Sequence, residues 1–157
     1  MIDMKKYFLL LVLAFFLWAN IKSQSCLPEG INFTTQESID NFQTNYLGCT
    51  EIEGTVLISG NEITNLYGLS ALKSVGETLN LYKNPNLNSL TGLENLNSIG
   101  KSLFINENDS LSNLLGLDFL SIIGNSIHIY NNENLENLTG FQGIENIPEY
   151  MDIQGNG

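Results

Sequence analysis

The sequence predicts an all-β solenoid of stacked, leucine-rich rungs of about 24 residues, closed at its N-terminal end by a short helix. Three observations predict it. Gly76, Gly100 and Gly124 open segments of the same pattern 24 residues apart, and Pro148 stands where the next glycine would fall. Within each segment the apolar residues keep one phase. An asparagine column keeps a second phase alongside them. Fixed-period self-similarity of this length is the mark of a repeat architecture.

The apolar phase is clearest from Gly76 onward. Leu79, Leu81, Leu87, Leu90, Leu93, Leu96 and Ile99 recur as Leu103, Ile105, Leu111, Leu114, Leu117, Leu120 and Ile123. A third rung has Ile127, Ile129, Leu135, Leu138, Phe141, Ile144 and Ile147. The first pair alternates with polar residues, which is strand spacing. The later ones follow in steps of three, which fits neither an amphipathic helix nor a plain strand. They suit a coil that turns between short segments and offers one side chain per bend to the core. Gly54 to Val75 is an earlier rung shorter by two, and another begins at Pro148. Seven buried side chains cannot offset the backbone entropy of two dozen ordered residues, so a rung must stack on neighbours to fold.

The polar phase is Asn61, Asn84, Asn108, Asn132 and Asn156, each three residues after the last strand leucine or isoleucine. A side-chain amide can both donate to and accept from backbone groups freed at a turn. In register, these residues are expected to form a ladder.

The segment before the solenoid reads as a cap. Gly30 to Phe33 suggests a short edge strand. Thr34 and Glu37 have capping-box spacing, and Ile39, Phe42 and Tyr46 follow on one helical face, predicting a helix over about 35–46. Ahead of it, Lys5 and Lys6 precede the apolar run Tyr7 to Trp18, and Asn20 to Ser25 is polar and ends in small residues. That is the layout of a secretory signal peptide, with an apolar run short of the ~20 residues that span a bilayer. The expected division is 1–23 signal peptide, 24–53 N-terminal cap and 54–157 repeat solenoid. The last rung is expected to be incomplete, since Met151, Ile153 and Asn156 begin a turn that nothing closes.

Cys26 and Cys49 are the chain's two cysteines. In an exported chain they read as one disulfide, with a lipid-bearing Cys26 as the alternative because it lies at the cleavage region. Cleavage after Ser23 removes Lys5, Lys6, Lys22 and Asp3, leaving 3 basic and 16 acidic residues, a net charge of −13 with no arginine. Such a surface repels nucleic acid and anionic membranes, and insertion of the mature domain into a membrane is not expected.

The stretch Cys49-Thr-Glu-Ile-Glu-Gly-Thr-Val-Leu-Ile58, with the helix and Cys26 before it, resembles the opening of the receptor L domain. The recurrent Leu-x-Gly-Leu-x-x-Leu-x-x-Ile-Gly phrase is similar to bacterial secreted proteins with repeated units of that type. The resemblance covers Cys26 to Gly157 and implies a right-handed, β-helix-like leucine-rich solenoid. It implies a binding role in general, and no ligand-contact residue transfers from it.

Catalytic chemistry has little to stand on in this sequence. His128 is the sole histidine, flanked by Ile127 and Ile129, and cannot complete a metal cluster or a triad without partners. Ser59 and Ser126 lack a nucleophile motif, and no phosphate-binding glycine loop occurs. Asn106 to Asp109 and Asn131 to Asn134 offer oxygen ligands at turns, but without the spacing of a calcium loop. No catalytic residue, cofactor or metal ligand is therefore assigned. The outward strand positions point instead to a binding face: Tyr82, Phe104, His128 and Tyr130. The expected function is a secreted or cell-surface module for protein recognition or adhesion, its partner an unidentified protein. A structural spacer without a ligand is the alternative, and glycan binding by the aromatics ranks third.

Overall fold

A computed structural model of the chain describes residues 24–145 and 149–157. The expected signal peptide, and Ile147 and Pro148 of the repeat, lie outside the described residues. Two parallel sheets run the length of the molecule, joined by turns, in an all-β solenoid of about five turns. The long sheet holds β2 (Ile31–Phe33), β4 (Val56–Ile58), β6 (Leu79–Tyr82), β8 (Ser102–Asn106), β10 (Ser126–Tyr130) and β11 (Tyr150–Gln154), paired in that order. The second sheet, unforeseen from the sequence, holds β1 (Gln24–Cys26), β3 (Cys49–Ile52), β5 (Ser74–Val75), β7 (Ser98–Ile99) and β9 (Ile122–Ile123). Its strands are two to four residues long, too short for alternation to announce them.

Register follows the repeat. Leu79 pairs with Leu103 and Leu103 with Ile127, while Leu81, Ile105 and Ile129 form the next inward column. Ile52, Val75, Ile99 and Ile123 face them from the second sheet. The leucines at steps of three fill the bends between the sheets and are buried from Leu87 through Leu120. In the last full rung the pattern loosens: Phe141 and Ile144 are partly buried and Leu138 is exposed.

Rungs lie so close that the glycine of each repeat is a steric requirement. A Cβ on Gly100 would stand 2.0 Å from the Gly76 carbonyl oxygen, and one on Gly124 2.1 Å from that of Gly100.

The cap departs from expectation in detail. The helix is broken into α1 (Gln36–Asp40) and α2 (Phe42–Asn45). Its N-cap is Thr35, whose hydroxyl accepts from Ser38 N at 3.2 Å, so the capping box lies one residue beyond Thr34 and Glu37. Asn41, with φ −89° and ψ 4°, ends one helix and starts the next. Ile39 and Phe42 are both buried over the first rungs, Phe42 edge-on to Phe33 at 5.6 Å, whereas Tyr46 is exposed. Cys26 and Cys49 form a disulfide between β1 and β3, with Cα atoms 5.8 Å apart, which removes the lipid-bearing alternative. Among the described residues no helix is long and apolar enough to cross a membrane.

The asparagine column connects the rungs. Asn84 Nδ2 donates to Ile58 O at 3.0 Å, Asn108 Nδ2 to Leu81 O at 3.0 Å, Asn132 Nδ2 to Ile105 O at 2.9 Å and Asn156 Nδ2 to Ile129 O at 2.9 Å. Each Oδ1 accepts the backbone N–H of the ladder residue one rung before it. Asn84, Asn108 and Asn132 are fully buried. Asn61 does not belong to this column. It is exposed, and Gly60 occupies its place, donating to Asn84 Oδ1 at 2.9 Å. The physical reason is one missing residue. Lys83, Glu107 and Asn131 each precede a ladder asparagine with φ of 53–57°, and the first rung's turn has no counterpart to them.

The ladder yields a test of stability. Asn108→Ala removes the amide donor to the Leu81 carbonyl and the acceptor of the buried Asn84 N–H, and is expected to cost about 2–4 kcal/mol. Asn86 donates to Asn61 O at the surface, so Asn86→Ala should cost under about 1 kcal/mol. Urea denaturation of both variants checks the difference. Equal midpoints would count against the ladder.

Candidate functional site

The outward side of the long sheet carries three columns of side chains, because residues alternate between the two faces of a strand. The central column is Leu57, Asn80, Phe104, His128 and Asp152. Beside it run Tyr82, Asn106, Tyr130 and Gln154, and on the other side Ser102, Ser126 and Tyr150. None of these pairings needs a loop, so the scaffold that fixes the core also fixes the face.

Three of the four expected binding-face residues come together. The Phe104 and His128 rings stack with centroids 4.4 Å apart and planes 2° from parallel. Tyr130 lies edge-on to His128 at 5.7 Å, and its hydroxyl hydrogen-bonds His128 Nδ1. Tyr82 stands apart. It pairs with Asn106, and the Lys83 ammonium lies 4.9 Å from its ring centroid. All four are half-buried, so the aromatics are less open than an isolated outward side chain would be.

The sequence reading missed the residues that hold His128. Its Nε2 is 2.9 Å from Ser126 Oγ, and Ser126 is in turn 2.8 Å from Ser102 Oγ, both serines being buried. Tyr150 tilts against His128 from the next strand at 5.4 Å. Asp152 accepts from Tyr150 OH and from Gln154 Nε2, each at 3.2 Å. The available signal was phase: Ser102, Ser126 and Tyr150 are 24 residues apart.

The Ser126–His128 contact lacks the rest of a nucleophilic site. Ser126 Oγ is buried and shared with Ser102, and the backbone groups of β10 are engaged with strands on both sides. Hydrolysis needs donors aimed at a developing oxyanion beside an accessible nucleophile. The geometry instead clamps an imidazole flat against a phenyl ring. A second feature of the face is Asn80, whose Oδ1 is buried with no hydrogen-bond partner between Leu57 and Phe104.

Electrostatics on the rest of the surface come from the rung turns. Lys83 pairs with Glu107 at 3.5 Å and Lys101 with Glu77 at 2.6 Å, each across one rung. Lys101 holds the Glu77 carboxyl below its ordinary pKa by hydrogen bond and charge. At the oxygen-rich turns weighed for calcium, Glu107 thus faces a lysine. Among the described residues no three His, Cys, Asp or Glu side chains converge as a metal site.

The Receptor L domain family model matches residues 48–140, more than half of the chain, from the end of the cap into the last full rung. A comparison with the curated proteins finds no match.

The Asp152 cluster has a titration signature. Its hydrogen bond and its charge raise the Tyr150 phenol above the ordinary value, while burial and then the Asp152 charge raise Tyr130. A phenol raised by folding stabilises the protein fully below its unfolded pKa and loses that contribution as pH rises through the folded one. Spectrophotometric titration should show two late tyrosines, and Asp152→Asn should return Tyr150 toward the ordinary range. An unchanged titration in the variant would contradict the assignment.

Proposed function

The chain belongs to the receptor L domain family, a family of ligand-binding modules, and on that premise we propose that it is an exported, non-catalytic recognition module. Its partner is a protein, and the surface that meets it is the outward face of the long sheet around Tyr82, Phe104, His128 and Tyr130. The disulfide accords with an oxidising compartment outside the cytoplasm.

The observation that carries this reading is the aromatic and polar composition of one continuous face. Tyrosine and phenylalanine are enriched where proteins meet, and a rigid sheet presents them with little ordering cost. Recognition of a glycan by the same rings ranks behind this, because the Phe104 and His128 faces are stacked on each other and not offered flat to a sugar.

That stack also favours a second reading, a spacer whose aromatics serve only cross-strand packing. The two readings separate at Tyr82. A pull-down with the disulfide-bonded domain identifies the partner. Tyr82→Ala should then weaken binding by about 2 kcal/mol or more with little change in thermal midpoint. Phe104→Ala should weaken binding and also cost about 0.5–1.5 kcal/mol of stability through the lost stack. Lowered stability with unchanged binding for Tyr82→Ala would favour the spacer.

A further inference from the structure

The outward face of the long sheet differs in charge from the rest of the chain. The full sequence carries a formal net charge of −11, yet β4, β6, β8 and β10 hold no Asp, Glu, Lys or Arg. His128 lies on that face, is the chain's sole histidine, and is half-buried, so solvent protons reach it. Imidazole is the side chain whose ordinary charge change falls between about pH 5 and 8. One proton on the ring therefore puts a unit charge into an otherwise uncharged surface.

The groups around the ring respond to that proton. Phe104 stacks on it from β8 and brings no titratable group. Tyr130 and Ser126, on β10 itself, hold its two nitrogens. From β11, Tyr150 tilts against the ring and Asp152 pairs with His128 in register. Tyr130, Tyr150 and Asp152 are thus the titratable groups that face it. A neutral imidazole donates through one nitrogen and accepts through the other, whereas an imidazolium donates through both. In the neutral form one hydroxyl therefore donates to the ring, that of Tyr130 to Nδ1 or that of Ser126 to Nε2. Protonation turns that hydroxyl round. Ser126 then donates to Ser102 Oγ, 2.8 Å away, and Tyr130 directs its proton away from the ring, toward the Asp152 carboxylate that reaches it.

We propose that His128 is a proton-operated switch on this face: neutral, it completes an uncharged surface that a partner covers, and protonated, it releases that partner. The release rests on the reading of this face as the recognition surface. A partner that covers the ring removes its water, and a charge stripped of water without a counter-charge is costly. The one carboxylate beside the ring, Asp152, is already engaged by Tyr150 and Gln154. The partner's contact surface is uncharged, matching the face it meets, so the imidazolium gains nothing across the interface. Acidification therefore weakens binding. Affinity is full above the ring's titration midpoint and falls below it by up to about tenfold per pH unit, the limit for one proton.

A pH titration of the isotopically labelled full chain by NMR reads the switch without a partner. Between about pH 4 and 9, a span that brackets the imidazole range, the His128 ring nitrogens should titrate in one step. The Tyr130 ring and the Ser126 Cβ should move with the same midpoint. Tyr82, on the same face but outside the network, should not. His128→Gln should abolish the shared step at Tyr130 and Ser126. A ring that never titrates in this span, or one that titrates alone, would overturn the switch. Binding is the second arm, measured across the same span with the protein recovered by the pull-down. Wild-type affinity should fall below the ring's midpoint, and that of His128→Gln, whatever its level, should not follow it. Affinity that rises on protonation, or the same pH dependence in both chains, would overturn release. Failure of the titration removes the switch and leaves the recognition reading standing. A pull-down that finds no partner overturns that reading, and release with it, while the coupled titration still stands.

Discussion

Everything in this molecule depends on how closely one rung lies on the next. Parallel strands stack at about 4.8 Å, and the coil between them has to follow at that same spacing. At Gly100 the approach leaves 2.0 Å between the Gly76 carbonyl oxygen and the point where a Cβ would be. One repeated glycine thus sets both the period and the place where a rung begins. From that constraint come the inward columns, since a residue can only be large and apolar where its counterparts above and below are too.

Close stacking creates a second demand, at the turn that leaves the long sheet. Lys83, Glu107 and Asn131 adopt left-handed backbone there, a conformation that costs about 1–2 kcal/mol for a residue with a Cβ. The asparagine that follows each of them bonds backward to a strand carbonyl and forward to the next rung. A buried amide satisfied on both sides holds the turn and couples rungs in one step. The first rung lacks the left-handed residue, and there glycine takes the asparagine's place. Turn and ladder are one device, present or absent together.

The core was legible in the sequence because each inward residue repeats in phase, and the ladder from Asn84 onward for the same reason. Part of what escaped depends on a single occurrence. Asn61 has the right distance from Ile58 but follows a turn one residue short, which spacing from the strand alone does not reveal. The break at Asn41 depends on how Ile39 and Phe42 both reach the core, a matter of the surface beneath the helix. Strands as short as Ser98–Ile99 exist because neighbours pair with them. At the face, Phe104, His128 and Tyr130 could be placed outward from alternation, but their stacking and the serine support beneath them depend on ring orientation. Tyr82 shares their alternation and not their contacts.

The fold and the family together describe a rigid surface whose residues are positioned by their neighbours on the rungs beside them. The claim that coupling between rungs, and not any rung alone, carries the stability is open to native-state hydrogen exchange. If it holds, the backbone amides of β6, β8 and β10 should share one opening free energy equal to that of global unfolding. Separate opening free energies for β6, β8 and β10, each well below the global value, would mean that rungs open independently, and would contradict the account.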